Sequence, residues 1–469
     1  MIKDEQWPRA RLIPISSASG IEAQERRATS ALLAVLAAVP EFGRALLKPL
    51  GAIGGKIETF IEIPFKVGER SIRPDGIIAV TRGSKSWGAL VETKTSNSQL
   101  ERDQVEIYLD LARENKFDAL ISISNQYVTT SSAYPIAVDR RKASRVKLAH
   151  WSWVNILTEA VVQKQYRGVT DPDQAYMLEE LIRYLSDPRS GAVAFDNMGP
   201  SWTSVRDAAR DRTLRKSDAG TAAVAHRWDD LMRYLCLDLT KELGRDVRQS
   251  VAANERDPRA RQQALQDFLA AHGQLYAELV IPDAAAPIRV VADLAARKIV
   301  LSARLDAPKA GTSKGRVSWL LRQLPSAPMN LAVEARMART SESLAEPLGK
   351  VRENPQVLYP GRDREIRQFV LSFTRDMGMK RDAGRGSFIE SVLSSVKSFY
   401  GDVLQTIVGW KPKAPRLSSP MEPATAEGPT AQLNERITDA VIVAAEEIQQ
   451  KAERPYRMAN TQEDETESL

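Results

Sequence analysis

The sequence predicts a mixed α/β protein: an N-terminal unit of alternating helices and strands, a helical region, then a second α+β domain. Two observations carry that expectation. Apolar residues recur at helical spacing in some segments and crowd into short Ile/Val-rich runs in others. At 469 residues the chain also exceeds what one ordinary core holds, so several domains are expected. An apolar share of 43% and a charged share of 27% are those of a globular protein.

Residues 21–50 read as one helix, with Ala28, Leu32, Leu36 and Val39 three or four apart. Three strand-like runs follow at 56–67, 71–82 and 87–95, separated by Gly68-Glu69 and by Gly83-Ser84-Lys85-Ser86 as hairpin turns. An amphipathic helix over 99–115, a buried strand over 117–124, a strand over 146–152 and a helix over 153–165 complete a unit assigned to residues 1–168. Residues 169–260 read as helical and highly charged. Residues 261–410 form the α+β domain, with strands at 275–281, 288–294, 298–305 and 330–337 and helices at 313–324 and 387–410. A Pro/Ala/Ser-rich linker, 411–430, precedes a 431–469 tail with an amphipathic helix at 432–454 and an acidic end.

Several classes are set aside. The longest apolar run, 31–39, falls short of the roughly 20 residues a membrane span needs. No secretory signal is visible in MIKDEQWPRAR, and the single Cys236 rules out an intrachain disulfide framework or multi-cysteine metal site, so a cytoplasmic location is expected. With three histidines, any metal is expected to have oxygen ligands, as Mg²⁺ or Mn²⁺ prefers. The net charge of +6 favours polyanionic partners mildly.

The informative stretch is Arg73-Pro74-Asp75-Gly76-Ile77-Ile78 with Ala89-Leu90-Val91-Glu92-Thr93-Lys94-Thr95. Charges inside apolar strands are costly unless paired or bound to metal. Side chains alternate along a strand, so Glu92 and Lys94 share a face. With 83–86 as the loop, Arg82 pairs with Trp87, Asp75 lies opposite Lys94 and Ile77 opposite Glu92. Asp75 and Glu92 then become diagonal neighbours, roughly 7 Å apart, within reach of one ion. Two such carboxylates can bind a hard divalent cation, a lysine beside them can orient water and offset charge, and the Thr93 carbonyl adds a further ligand.

These residues resemble the PD-(D/E)XK nuclease superfamily, whose signature stands here as Pro74-Asp75 and Glu92-Thr93-Lys94. Gln104 and Tyr108 fit the Q-x-x-x-Y motif of its RecB-like branch, and i,i+4 spacing puts them on one helix face. The resemblance covers about residues 20–165. It implies a restriction-endonuclease-like core of helix, three strands, helix and strand, and a Mg²⁺- or Mn²⁺-dependent nuclease acting on DNA, in prokaryotic defence or repair. It also implies a glutamate on the first helix: Glu25 first, then Glu22 and Glu41.

Two other classes are weighed beside it: a catalytically silent nucleic-acid-binding module, and an assembly subunit docking on a homo-oligomer or protein partner through its C-terminal helix. Arg82, Lys85, Arg102, Arg140, Arg141, Lys142, Arg145 and Lys147 are candidates for phosphate contacts or solvated loops. His150-Trp151-Ser152-Trp153 reads as a strand end packing the next helix rather than a stacking platform. The basic loop entering the helix at 313 lacks P-loop spacing, Cys236 reads as a core residue, and His226 and His272 show no partner in sequence.

Overall fold

The computed structural model describes residues 7–13, 20–67, 70–96, 98–128, 134–192, 194–361 and 365–409. The chain is mixed α/β; among the described residues a five-stranded sheet, a seven-stranded sheet and a two-stranded ribbon lie in one compact unit assigned to residues 1–411.

The first lobe opens with α1 (Gly20–Ala38) and α2 (Pro40–Leu47). The single helix expected over 21–50 is broken at Pro40, which has no N–H to continue the ladder, and the two axes bend by 107°. No single helix among the described residues is long and apolar enough to cross a membrane.

The strands are β1 (Lys56–Ile61), β2 (Phe65–Val67), β3 (Arg70–Ile72), β4 (Gly76–Arg82) and β5 (Lys85–Thr93). They are followed by α3 (Arg102–Glu114), β6 (Ala119–Ser124), α4 (Arg140–Ala143), β7 (Lys147–Ser152) and α5 (Trp153–Val162), which ends in a π turn. The five-stranded sheet runs β1-β4-β5-β6-β7, antiparallel from β1 to β5 and parallel from β5 to β7. The parallel crossover from β5 to β6 goes through α3.

Two expected strands are split. The 56–67 run breaks between Glu62, held at φ +54°, and Pro64; the 71–82 run breaks at Pro74-Asp75. The detached pieces β2 and β3 pair with each other outside the main sheet, and the Gly68-Glu69 turn lies outside the described residues.

The central strands β4 and β5 are buried on both faces. Leu32, Leu36, Ile78, Val91 and Ile121 form one core layer with α1, α2 and α5. Ile77, Leu90, Leu109 and Leu120 form the other under α3.

The chain leaves the first lobe through α6 (Pro172–Ser186); the second lobe begins with α7 (Trp202–Arg210), α8 (Ala219–Leu243), β8 (Arg248–Ser250) and α9 (Pro258–His272). Next come β9 (Gln274–Val280), β10 (Ile288–Asp293), β11 (Lys298–Asp306), α10 (Ser313–Gln323), β12 (Ala332–Met337), β13 (Ser343–Pro347), α11 (Leu348–Glu353), β14 (Ile366–Asp376) and α12 (Phe388–Phe399). The seven-stranded antiparallel sheet runs β13-β12-β14-β11-β10-β9-β8. Its strands alternate buried and accessible positions, so one face carries the core against Trp202, Trp228, Leu265 and Phe388.

The segment read from sequence as a separate helical region divides between the two cores. Leu178, Leu181 and Leu185 of α6 pack into the first lobe, whereas α7, α8 and α9 pack on the second sheet. The lobes meet where α5 packs on α8. The linker over 411–430 and the 431–469 helix and tail lie outside the described residues.

Candidate active site

The β4–β5 turn holds two residues, Gly83-Ser84, instead of the four expected, so Arg82 pairs with Lys85 rather than Trp87. Gly83 sits at φ +58° in the first central position, where the two-residue turns matching strand twist need a positive φ. The register therefore shifts by two residues: Gly76 faces Val91 and Ile77 faces Leu90, not Glu92. Counting on past Gly76–Val91, where the ladder ends, sets Asp75 against Glu92, not Lys94, and Pro74 against Thr93. The two carboxylates are near enough for each to influence the other's ionisation.

Pro74 has a local consequence. The Thr93 N–H, which would pair with the neighbouring strand, instead donates to Asp75 Oδ2 at 2.7 Å. In an antiparallel pair the opposing N–H would satisfy the Thr93 carbonyl, but proline has none to give. The β4 side of Thr93 thus presents a carbonyl oxygen beside the two acids.

Glu92 Oε1 accepts from Lys94 Nζ at 2.8 Å and from Gln104 Nε2 at 2.7 Å. Its Oε2 is buried and, among the described residues, has no hydrogen-bond partner. Gln104 Nε2 also donates to Tyr108 Oη at 3.3 Å, and that hydroxyl donates to the Arg73 carbonyl at 3.4 Å. Gln104 and Tyr108 thus stand on α3 over Glu92 and tie the chain just ahead of Pro74-Asp75.

Burial, then the negative charge of Glu92, holds the Asp75 carboxyl well above the usual carboxylate range. Burial also raises Glu92, against the opposing pull of Lys94. For Lys94 burial opposes the charged form, but the carboxylates of Glu92, Asp75 and Glu25 outweigh it and raise the ammonium above its ordinary value. Burial likewise pushes the Tyr108 phenol up, so it remains a neutral hydrogen-bonding group.

Glu25, on α1, accepts the Thr95 N–H at Oε1, 3.1 Å away, which brings this helix to the segment leaving β5. Glu22 instead pairs with Arg26 at 2.7 Å, and Glu41 stands on α2, beyond the Pro40 break.

The segment Lys94-Thr95-Ser96 is fixed by Gln24, Asn125 and Gly191, which sequence reasoning did not single out, and by Trp153, which it read only as packing. Gln24 Oε1 accepts from the hydroxyls of Thr95 at 3.1 Å and Ser96 at 2.7 Å, while its Nε2 donates to the Arg189 carbonyl at 2.8 Å. The Ser96 N–H donates to the Gly191 carbonyl at 2.9 Å, and Asn125 Nδ2 donates to the carbonyls of both Ser96 and Gly191. Gly191, at φ +82°, approaches so closely that a Cβ would fall 2.6 Å from the Gln24 side chain. The Trp153 indole N–H donates to the Lys94 carbonyl at 2.9 Å. Gln24 had one visible signal, its place next to Glu25; the 189–191 contact had none, because it comes from beyond the 20–165 stretch.

The basic residues thought to border the site mostly do other work. Arg82 and Lys85 lie at the opposite end of the hairpin, ~20 Å from Asp75 at strand rise. Lys147 Nζ donates to the Pro49 carbonyl, while Arg102 and Lys142 bond Glu106 and Asp110. Arg140, Arg141 and Arg145 are exposed.

His150 is buried: Nδ1 lies 2.8 Å from Ser122 Oγ and Nε2 3.0 Å from the Gln126 carbonyl, an arrangement that assigns the proton to Nε2. Trp151 and Trp153 are core residues, as the strand-end reading expected. Cys236 is buried and its thiol is pushed up to about 12, in keeping with a core role. His226, for which no partner was expected, lies 3.3 Å from Asp230 because both face one side of α8. Thr312 Oγ1 caps α10 by accepting from the Gly315 N–H, the ordinary capped helix anticipated for that loop.

Burial lowers the His150 imidazole to about 4, against an ordinary 6.5. Its contribution to stability is present above pH 6.5 and is lost as pH falls toward 4, ~3 kcal/mol in all. Denaturant titrations at pH 7.5 and 4.5 should show wild type losing more stability on acidification than His150→Gln; equal losses would refute this.

Among the described residues, no group of three or more His, Cys, Asp or Glu side chains stands ready to hold a metal. Two carboxylates and a carbonyl can still serve Mg²⁺, which keeps several waters and takes only one or two protein carboxylates. The unpartnered buried Oε2 of Glu92, two facing acids and a Thr93 carbonyl on the side where Pro74 has no N–H to give fit such an ion. No family model matches the chain, and no curated protein or solved structure matches it.

Proposed function

We propose that this chain is a Mg²⁺-dependent nuclease of the PD-(D/E)XK type, hydrolysing phosphodiester bonds in DNA at Asp75, Glu92 and Lys94. One observation carries the reading: the half-buried Asp75 carboxylate faces the buried Glu92, which holds a lysine on one oxygen and, among the described residues, leaves the other unpartnered. Such a pair is costly to maintain without a cation between the acids. Support comes also from the chain order of α1, β1, β4, β5, α3 and β6, which is the helix, three strands, helix and strand of that superfamily's core.

In this reading Asp75, Glu92 and the Thr93 carbonyl hold Mg²⁺ or Mn²⁺, with Glu25 bracing the segment behind them and available to the ion's waters. The bound ion supplies Lewis-acid polarisation of the scissile phosphate and a water of lowered pKa. Lys94, with its proton held by three neighbouring acids, orients the attacking water and offsets charge on the phosphate rather than acting as a base. Gln104 fixes the rotamer of Glu92, and Tyr108 fixes Gln104. The setting in prokaryotic nucleic-acid defence or repair, and the cytoplasmic location, rest on the resemblance alone.

Incubating the protein with supercoiled plasmid and Mg²⁺ or Mn²⁺ tests the reading. Cleavage that EDTA abolishes is expected, whereas DNA retention with no cleavage under either metal would instead favour a silent binding module. Gln104→Ala should retain binding and lose ~10–100-fold in rate, the usual cost of removing a group that orients a metal ligand. Unchanged turnover in Gln104→Ala would show that α3 does not serve the site.

A further inference from the structure

A cavity of about 370 Å³ lies between the lobes, where α5 and the end of α6 face α8. That is within the size range of small-molecule sites. On the first-lobe side its wall is Val154, Leu157 and Leu185, and it runs up against Trp153, the residue whose indole holds the Lys94 carbonyl. Tyr234, Asp238 and Lys241 close it from α8, and Asp196 stands at its edge.

The charges in this wall are unequal. Asp238 is neutralised by Lys241 at 2.9 Å and by Lys397 at 2.6 Å, and these lysines hold its carboxyl below the usual range despite burial. Asp196 is exposed and, among the described residues, its carboxylate makes no ion pair. The cavity therefore offers an apolar interior with one uncompensated negative charge at its edge. Lys241 already has its counter-ion, so among the described residues lining the cavity no unpaired cation would balance an anionic ligand beside Asp196.

We propose that this interlobe cavity is a ligand site for a small amphipathic cation, one whose apolar body fills the space between Leu157, Leu185 and Tyr234 and whose ammonium group pairs with Asp196. The apolar body gains from leaving water at roughly 25 cal/mol per Å². The charge supplies selectivity over an anion of the same shape, through attraction to one carboxylate and the repulsion an acid would suffer there. The site is separate from Asp75 and Glu92, so its existence does not depend on the nuclease reading.

Isothermal titration calorimetry of the full chain with 2-phenylethylamine, beside 3-phenylpropionate as the matched anion, tests this. One-to-one saturable binding of the amine is expected, weakened about tenfold or more in Asp196→Asn and abolished in Leu157→Trp, which fills the space. Asp196 is on the surface, so its asparagine variant keeps the fold; circular dichroism checks the same for Leu157→Trp. The proposal is overturned by no saturable binding of the amine, by equal affinity for the anion, or by undiminished affinity in Asp196→Asn.

Discussion

Asp75→Ala is expected to reduce Mg²⁺-dependent plasmid cleavage by ~10³-fold or more, corresponding to ~4 kcal/mol of lost transition-state stabilisation. Asp75 contributes one side of the facing acid pair and also anchors the Thr93 N–H, so its removal takes away a ligand and loosens the strand beside the next one. Lys94→Ala should lose ~10²–10³-fold, since it removes a charge aimed at the reacting phosphate while leaving both carboxylates in place. The two variants should differ in metal response. Excess Mn²⁺ partly restores a weakened metal site but cannot replace an ammonium group. Gel-based initial rates over a range of metal concentrations separate the cases, and cleavage unchanged in both variants would remove Asp75 and Lys94 from the chemistry.

Asp75→Asn is expected to make the metal-free protein more stable while making it inactive. The Asp75 carboxyl is held well above its ordinary range by burial and by Glu92, so folding favours its protonated form. For such a group the stabilising contribution is full below the ordinary carboxylate pKa and is lost as pH rises through the raised value. At neutral pH the metal-free wild type therefore carries an unfavourable pair of acids. Asparagine removes the charge and keeps an oxygen for the Thr93 N–H. A gain of ~1–3 kcal/mol is expected, seen as ~2–5 °C in a thermal melt with EDTA at pH 7.5. Mg²⁺ should raise the melting temperature of wild type and leave Asp75→Asn nearly unmoved, because a ligand stabilises only the state that binds it. A less stable Asp75→Asn in EDTA would contradict the electrostatic account.

How legible the site was depends on distance along the chain. Asp75, Glu92, Lys94, Gln104 and Tyr108 lie within 34 positions of one another, joined by one hairpin and one helix. Local alternation and i,i+4 spacing were therefore enough to place them on common faces. The register was misread by two residues because Lys85-Ser86 look like loop residues. In fact they extend β5, as exposed polar positions at the end of an otherwise buried strand.

What could not be read was long-range. Gln24, Trp153 and Gly191 reach Lys94-Thr95-Ser96 through tertiary contacts that no local pattern encodes. In the second lobe β14 escaped notice although it lies near the middle of the sheet: Arg367, Gln368, Thr374 and Arg375 interrupt its apolar run. A strand with one accessible face can carry such residues. The boundary placed at 260 fell inside α9, because helices packed on a sheet and helices standing alone share the same 3.6-residue period.

The most direct test of the central claim is the anomalous difference density of crystals grown with Mn²⁺. The account predicts one strong peak between Asp75 and Glu92, about 2 Å from an oxygen of each and close to the Thr93 carbonyl. Saturating Mn²⁺ with no peak there, the Glu92–Lys94 ion pair unchanged and the two acids sharing only a proton, would contradict it.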